Sequence, residues 1–319
     1  MKNLTKANKP LVSIIIPTFN REKFLPETIH SVLNQSYSSI ELIVLDDGST
    51  DNTIDLLKGY EPDLIWCHHS NMGEALTVNK GLNMARGDIF CVLSSDDILY
   101  ENAVYEIVRF MVSHPQISVV YPDWQKIDEK SKVILERETL EYDFLKMISW
   151  HYCMPGPGTF FKKEVFFDTG GRDKDFIYLS DYDFWLRAGL IHKFARIPMT
   201  LAGFRVHTTS ASYNGNLTSA KEDIRVIDKF FSLPGLSEEI INIKKESYFS
   251  AYFYAGCATG KDNLKLRRKY LLKSLLLCPK KYFSEYQERF YKVFIPLFFP
   301  FIRSSWLFIK KNRKNQKNE

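Results

Sequence analysis

The chain has 319 residues, with 43 Lys and Arg against 38 Asp and Glu, a formal net charge of +5. That length admits one large catalytic domain and an appendage, and five cysteines (Cys67, Cys91, Cys153, Cys257 and Cys278), an odd number without CxxC spacing, indicate neither a disulfide framework nor a zinc site. Lys310 to Glu319 carry five basic residues and one Glu, so the rest of the chain is close to neutral, which argues against a nucleic-acid-binding groove.

In chain order, Val12-Ser-Ile-Ile-Ile-Pro17-Thr18-Phe19-Asn20 is an apolar run ending in polar groups and predicts the first strand. Leu25, Ile29, Val32 and Leu33 have helical spacing, which predicts a helix over 24–35. Leu42-Ile-Val-Leu-Asp46-Asp47-Gly48-Ser49 predicts a second strand that opens onto charge, with Asp51 capping a helix over 51–58. A short strand over 63–67, a helix over 74–85 and a strand over 88–93 follow, and the last runs through Cys91-Val-Leu-Ser-Ser to the adjacent carboxylates Asp96 and Asp97. Repeated crossovers of this kind mean a parallel sheet with right-handed connections. Three strands then deliver polar ends to one edge, where such sheets bind ligands, and a nucleotide or another phosphorylated molecule is the natural occupant. Two neighbouring carboxylates at a strand end invite a cation; the plainer reading is that they cap a helix over 101–111.

Further motifs continue downstream. Ile16 to Arg21, Leu45 to Asp51, Asn71-Met-Gly73 with Asn79-Lys-Gly81 and Ala85-Arg-Gly87-Asp88, Ser95-Asp96-Asp97, Ser180-Asp181-Tyr182-Asp183-Phe184-Trp185-Leu186-Arg187, and Phe204-Arg205-Val206-His207 follow one another over about residues 11–212. In order and spacing they resemble the inverting glycosyltransferases of family two. The resemblance implies an α/β nucleotide-diphospho-sugar transferase fold of the GT-A type, a mostly parallel sheet flanked by helices, over residues 1–215. Residues 216–319 are expected to form a helical appendage.

The resemblance also implies roles. Asp47 would accept a hydrogen bond from the imide of uracil, Phe19 would pack on the base, and Pro17, Thr18, Asn20 and Glu22 would line the same mouth. Asp96 would contact the donor's ribose, while Asp97 would hold Mn²⁺ or Mg²⁺, hard cations that favour oxygen ligands and neutralise a departing diphosphate. His207 reads either as a further metal ligand with Arg205 nearby or as a loop anchor. Asp181 would be the general base that takes the acceptor's hydroxyl proton; it also suits a helix N-terminus. Ser180 stands where the family usually has Glu, and Asp183 reads as structural or as an acceptor contact. The aromatic, Gly- and Pro-rich stretch from Trp150 to Phe161 suits an acceptor floor or simply core.

The expected activity is transfer of a sugar from a nucleotide-sugar donor, a UDP-sugar foremost, to a hydroxyl of a glycan or lipid-linked acceptor in cell-surface polysaccharide synthesis. A metal-dependent nucleotidyltransferase is one alternative, but it would not need Asp181 and would show a Gly- and basic-rich loop after the first strand. The other is an inactive relative serving as a membrane scaffold, against which the intact Asp47, Asp97 and Asp181 stand. The polar N-terminus shows no secretory leader. The aromatic, Pro-interrupted stretch from Phe290 to Ile309 ahead of the basic tail suits a segment lying in the interface of an anionic membrane rather than spanning it. The expected location is therefore cytoplasmic, peripheral at the inner face of the cell membrane.

Overall fold

The computed structural model describes residues 9–208, 210, 216–259 and 263–284; the aromatic and basic stretch over 290–319 lies outside them. By contact the chain divides into two units, one of residues 1–147 with 152–213 and one of residues 148–151 with 214–319.

The first unit begins with the alternation that the apolar spacing predicts: β1 (Val12–Thr18), α1 (Leu25–Leu33), β2 (Ile40–Asp46), α2 (Thr53–Lys58), β3 (Ile65–His68), α3 (Glu74–Met84) and β4 (Ile89–Val92). β1 is buried at every position and β2 at all but its first, which is why both read as unbroken apolar runs rather than alternating ones. β1 pairs in parallel with β2 and β4, and β2 in parallel with β3. The register sets Thr18 beside Asp46, so the polar ends of these strands share one edge. α1 turns Leu25, Ile29 and Val32 into the core against Ile14, Ile16 and Val44, each such side chain contributing on the order of 1.5–3 kcal/mol of burial.

Beyond β4 come β5 (Ile98–Leu99), α4 (Ala103–Ser113), β6 (Val119–Ile127), β7 (Val133–Arg137), α5 (Phe144–Ser149), β8 (Phe160–Lys162), α6 (Lys163–Thr169), α7 (Ser180–Gly189) and β9 (Phe194–Arg205). The strand order is β3-β2-β1-β4-β8-β6-β9-β5, with β7 beside β6. β8 runs antiparallel to both β4 and β6, while β6 and β9 are parallel, so the parallel part is the first four strands and the remainder is mixed. Leu201 to Arg205 form the end of the 12-residue β9, whose register against β6 shifts around Pro122 to Trp124. A proline in β6 removes one ladder donor, and the shift accommodates it.

The second unit is helical: α8 (Leu217–Phe231), α9 (Glu238–Asn242), α10 (Lys244–Ala258), α11 (Leu264–Leu277) and α12 (Pro279–Ser284). Asn216 caps α8 by accepting from the Ser219 amide at 2.9 Å, and Ser237 caps α9 through the Ile240 amide. α9 and α10 are divided at Ile243. α10 packs between α8 and α11. At Gly256 the approach of α11 is so close that a Cβ there would lie 2.7 Å from Leu271 Cγ.

Candidate active site

The end of β2 is fixed before any ligand arrives. Asp47 Oδ1 accepts from the Met72 amide at 2.7 Å and Oδ2 from the Gly73 amide at 3.0 Å, with His69 Nδ1 3.4 Å away. Gly73 has φ +88°, a conformation that strains any residue with a Cβ, and it directs its amide at Asp47 where α3 begins. Asp46 is fully buried, with His68 Nδ1 at 2.6 Å from Oδ2 and the Ser49 amide donating to the same oxygen. The adjacent loop is closed by residues after β1. Asn20 Oδ1 accepts from the Thr50 amide at 2.8 Å, Glu22 Oε2 accepts from the Asn52 amide at 2.9 Å, and Asp51 takes the Thr53 hydroxyl at 2.6 Å and the amides of Thr53 and Glu22. Asp51 thus acts as the expected cap; burial raises its pKa, but these donors outweigh it and hold the carboxyl below the usual range.

The acidic turn after β4 is anchored from behind. Asp97 is 3% exposed, and its Oδ1 accepts from the Arg205 amide at 2.9 Å. Burial first, and the neighbouring Asp96 charge second, push its carboxyl well above the ordinary range. The Arg205 side chain is fully buried: Nε donates to the Asp96 carbonyl at 2.8 Å, Nη1 to the Asp128 carbonyl and Ser131 Oγ, and Nη2 to Glu27 Oε2 at 2.7 Å. It is a strut that ties this turn to α1 and to the β6–β7 turn. His207 Nε2 lies 2.9 Å from Asp96 Oδ2, its ring against Phe24, and Arg21 Nε is 3.6 Å from the same oxygen.

Two adjoining cavities open on this edge. The first, about 470 Å³, is lined by Pro17, Thr18, Phe19, Arg21, Asp47 and Asp96 from the strand ends, by Gly73, Glu74 and Thr77 of the α3 start, and by Arg172 and Asp181. Thr18 Oγ1 and Thr77 Oγ1, both buried, have no hydrogen-bond partner among the described residues. The second, about 160 Å³, shares Ser94, Arg172, Asp181 and Phe204 with the first and adds Asp97, Pro155, Pro157 and Trp185. The structure therefore brings Pro17, Thr18, Phe19, Asp47, Asp96, Asp97 and Asp181 onto cavity walls. Asn20, Glu22 and His207 lie outside those linings and face the loop or Asp96 instead.

Asp181 sits in the first turn of α7, where its Oδ1 accepts from the Tyr182 amide at 2.7 Å. Its charge, after the larger effect of burial, raises the nearby Cys153 thiol. Asp183, by contrast, is buried and held by Arg187, which also donates to the carbonyls of Gly171 and Thr169. Phe160 is core, while Pro155, Gly156, Pro157 and the largely buried Phe161 of the same stretch reach the second cavity. Arg172 escaped the sequence reading. It lies where both cavities meet, with Nη1 2.8 Å from Glu74 Oε1, and Asn79 clamps its backbone with bonds of 2.8 and 2.7 Å. No local spacing links Asn79 to a residue so distant in sequence.

Residues 13–166 match the model of glycosyl transferase family 2. That stretch, just under half of the chain, carries the likeness to the family. Uncharacterized glycosyltransferases are similar along its length: one of Rickettsia typhi is 26% identical over 295 residues, covering 86% of this chain and 92% of that protein. A protein named as a putative teichuronic acid biosynthesis glycosyltransferase, TuaG of Bacillus subtilis, is 36% identical over 145 residues, 42% of this chain and 56% of that one. Among solved structures, S. aureus TarS 1–349 in complex with UDP-GlcNAc superposes with TM-score 0.65 at 16% identity, covering 85% of this chain and 82% of the other. The mannosyltransferase PcManGT from Pyrobaculum calidifontis, in complex with GDP-Man and Mn2+, gives 0.58 at 16% identity, covering 93% and 83%. These likenesses establish the GT-A fold.

A divalent cation has to be tested against the residues present. No cluster of three or more His, Cys, Asp or Glu is preformed among the described residues. Yet Asp97 is buried beside a second carboxylate with its proton affinity raised, an environment that a cation relieves, and carboxylate with imidazole is a donor set suited to Mn²⁺. The residues fit a site of few protein ligands completed by the substrate's own oxygens.

Proposed function

We propose that the protein transfers one sugar, with inversion, from a nucleoside diphosphate, UDP foremost, to a hydroxyl of a glycan or lipid-linked acceptor during cell-surface polysaccharide assembly. The observation that carries the reading is the first cavity, where two buried hydroxyls without partners among the described residues, Thr18 and Thr77, share a wall with Asp47, Asp96, Asp181 and three arginines. An anionic, hydroxyl-rich ligand satisfies such groups; an apolar one leaves them bare. The complexes of TarS with UDP-GlcNAc and of PcManGT with GDP-Man support a nucleotide sugar, and the name of TuaG supports a surface polysaccharide.

In this reading residues 1–215 form the catalytic domain and 216–319 an appendage. Pro17, Thr18, Phe19 and Asp47 receive the base and Asp96 the ribose, while Asn20 and Glu22 act through the loop they close. Asp97 and His207 would hold Mn²⁺ or Mg²⁺, which when bound supplies the charge that lets the diphosphate leave. Asp181 takes the proton of the acceptor hydroxyl as its oxygen forms the bond to the anomeric carbon. The bond from that carbon to the diphosphate oxygen breaks on the opposite face, and the electron pair leaves with UDP. One displacement inverts the centre. The aromatic and basic stretch over 290–319 carries the protein to an anionic membrane surface in this reading; no helix among the described residues is long and apolar enough to cross one.

A screen of nucleotide sugars for turnover with Mn²⁺, read as release of the free nucleoside diphosphate, tests the proposal. Release of UDP from one donor supports it. Turnover of a nucleoside triphosphate with release of pyrophosphate would sink it in favour of nucleotidyl transfer.

A further inference from the structure

The helical unit carries a surface that the catalytic chemistry does not use. Between Leu264 and Lys281 the sequence has seven basic residues and no acidic one. α11 is held by one narrow face only: Leu271 and Ser274 are buried, Ser274 Oγ donates to the Phe249 carbonyl at 2.8 Å, and Gly256 lets Leu271 press onto α10. That contact fixes the roll of the helix. On its outer side two ridges at four-residue spacing run in parallel, Leu264, Arg268, Leu272 and Leu276 in one, and Lys265, Lys269 and Lys273 in the other. All seven residues are exposed, Leu276 at 78%. Lys273 also lies 4.9 Å above the Tyr252 ring, which steadies its stem without neutralising its charge.

An exposed leucine ridge flanked by lysines is the pattern of a helix that rests in the headgroup layer, apolar groups entering the acyl boundary and ammonium groups meeting phosphates. A second copy of this chain would set the basic ridge against itself, and the tail over 310–319, with a net +4, is repelled by it. Nucleic acid has no use for the leucines. The geometry points to α11 as a docking element for an anionic lipid surface, lying along it with Leu264, Leu272 and Leu276 inserted. This deepens the function proposed above and rests on it for its consequence, since a docked enzyme meets a lipid-linked acceptor in two dimensions.

The test uses the full chain with its tail intact, so that only α11 differs between proteins. Co-sedimentation is measured with vesicles of phosphatidylcholine containing about a quarter phosphatidylglycerol, and with phosphatidylcholine alone. Wild type is expected to bind the anionic vesicles, weakening as salt is raised to about 0.5 M. The triple reversal K265E/K269E/K273E should lower partitioning by roughly 100-fold or more, from about a fivefold loss per basic residue removed. The pair L272S/L276S, which keeps every charge, should also lower it by about tenfold or more. Both variants should keep the wild-type melting temperature and UDP affinity, which separates failure of this surface from failure of the proposed nucleotide site. Equal vesicle binding by wild type and the triple variant, no binding by wild type, or self-association that the reversal abolishes would each overturn the assignment.

Discussion

Asp181 and Asp183 share the first turn of α7, yet their surroundings give them opposite sensitivities. Asp181 is half-buried on the cavity wall, and its one hydrogen bond in the protein, from the Tyr182 amide, goes to a carboxylate oxygen that the amide of Asn reproduces. Asp181→Asn should therefore change stability by under about 1 kcal/mol, as for a site outside the core. The proposed transfer step should fall by roughly 10² to 10⁴, the span for one positioned proton acceptor, or about 3–5 kcal/mol of barrier. Asp183 is 3% exposed and accepts from Arg187 at 3.0 and 2.8 Å. Arg187 in turn secures the segment at Gly171, next to Arg172. Removing the charge from this pair leaves a part-buried guanidinium without its carboxylate, at about 3 kcal/mol, the low end for a broken buried pair. For a unit of this size that is a fall in melting temperature on the order of 10 °C. The assay is sugar transfer at a temperature where both variants are folded, with the anomeric configuration of the product read by NMR, alongside thermal unfolding. Transfer retained in Asp181→Asn, or a product with the donor's own configuration, would refute the assignment of the base. A variant Asp183→Asn that melts like wild type but no longer transfers would show the two roles reversed.

Asp97→Ala should abolish metal-dependent turnover and, because the Arg205 amide loses its buried acceptor, also cost roughly 1–3 kcal/mol; full wild-type turnover in excess chelator would remove the metal from the scheme. Asp47→Ala should lower both the melting temperature and the affinity for UDP, since the carboxylate holds the Met72 and Gly73 amides that shape the cavity wall. Calorimetry showing equal UDP affinity would count against that site. Acid stability should report Asp123: burial raises its pKa, but hydrogen bonds from Arg196 and Thr139 outweigh this and hold it below the usual carboxylate range. Its folded pKa lies beneath the unfolded value, so its contribution is present above about pH 4 and lost as pH falls through the folded pKa. Urea midpoints of Asp123→Asn should accordingly be lower than wild type at pH 7 and decline less between about pH 5 and pH 2.

The legible part of this protein is the part whose cause is local. β1 and β2 announce themselves because a strand covered on both faces must be apolar throughout, and α1 because Leu25, Ile29 and Val32 recur at the helical period. The cap at Asp51 follows from chemistry within two residues. What escapes is set by contacts between distant segments. Asn79 reads as a helix residue, yet its amide clamps Arg172. Asn20 and Glu22 lie beside the polar end of β1 and suggest a ligand, but the open amides of residues 50 and 52 take their side chains first. β9 is longer than its apolar end reveals because Ala195 and Arg196 are only half covered and Pro198 to Thr200 are exposed. Arg205, next to the expected metal ligands, reads as a surface cation until the fold places three carbonyl or hydroxyl acceptors and Glu27 around it.

Crowding carboxylates at one sheet edge carries a penalty that the surrounding groups must offset, and the way they do so constrains the chemistry. Asp46 Oδ2 is held by His68 and an amide, Asp47 by two amides at the start of α3, and Asp96 by His207 with Arg21 beyond it. Each of these carboxylates is fixed in place by protein groups, which suits groups that position a ligand by shape and directed acceptors. Asp97 and Asp181 differ: both border the second cavity, each accepts one backbone amide, and among the described residues Arg172 is the one cationic side chain lining it. A diphosphate brought to this edge would be repelled by bare carboxylates. In the proposed scheme its attraction comes from Arg21, Arg172, the positive end of α3 and a cation that Asp97 would hold, while Asp181 keeps a lone pair for proton abstraction. On that scheme the carboxylates held by several groups position the donor, and the two that face the second cavity serve the chemistry.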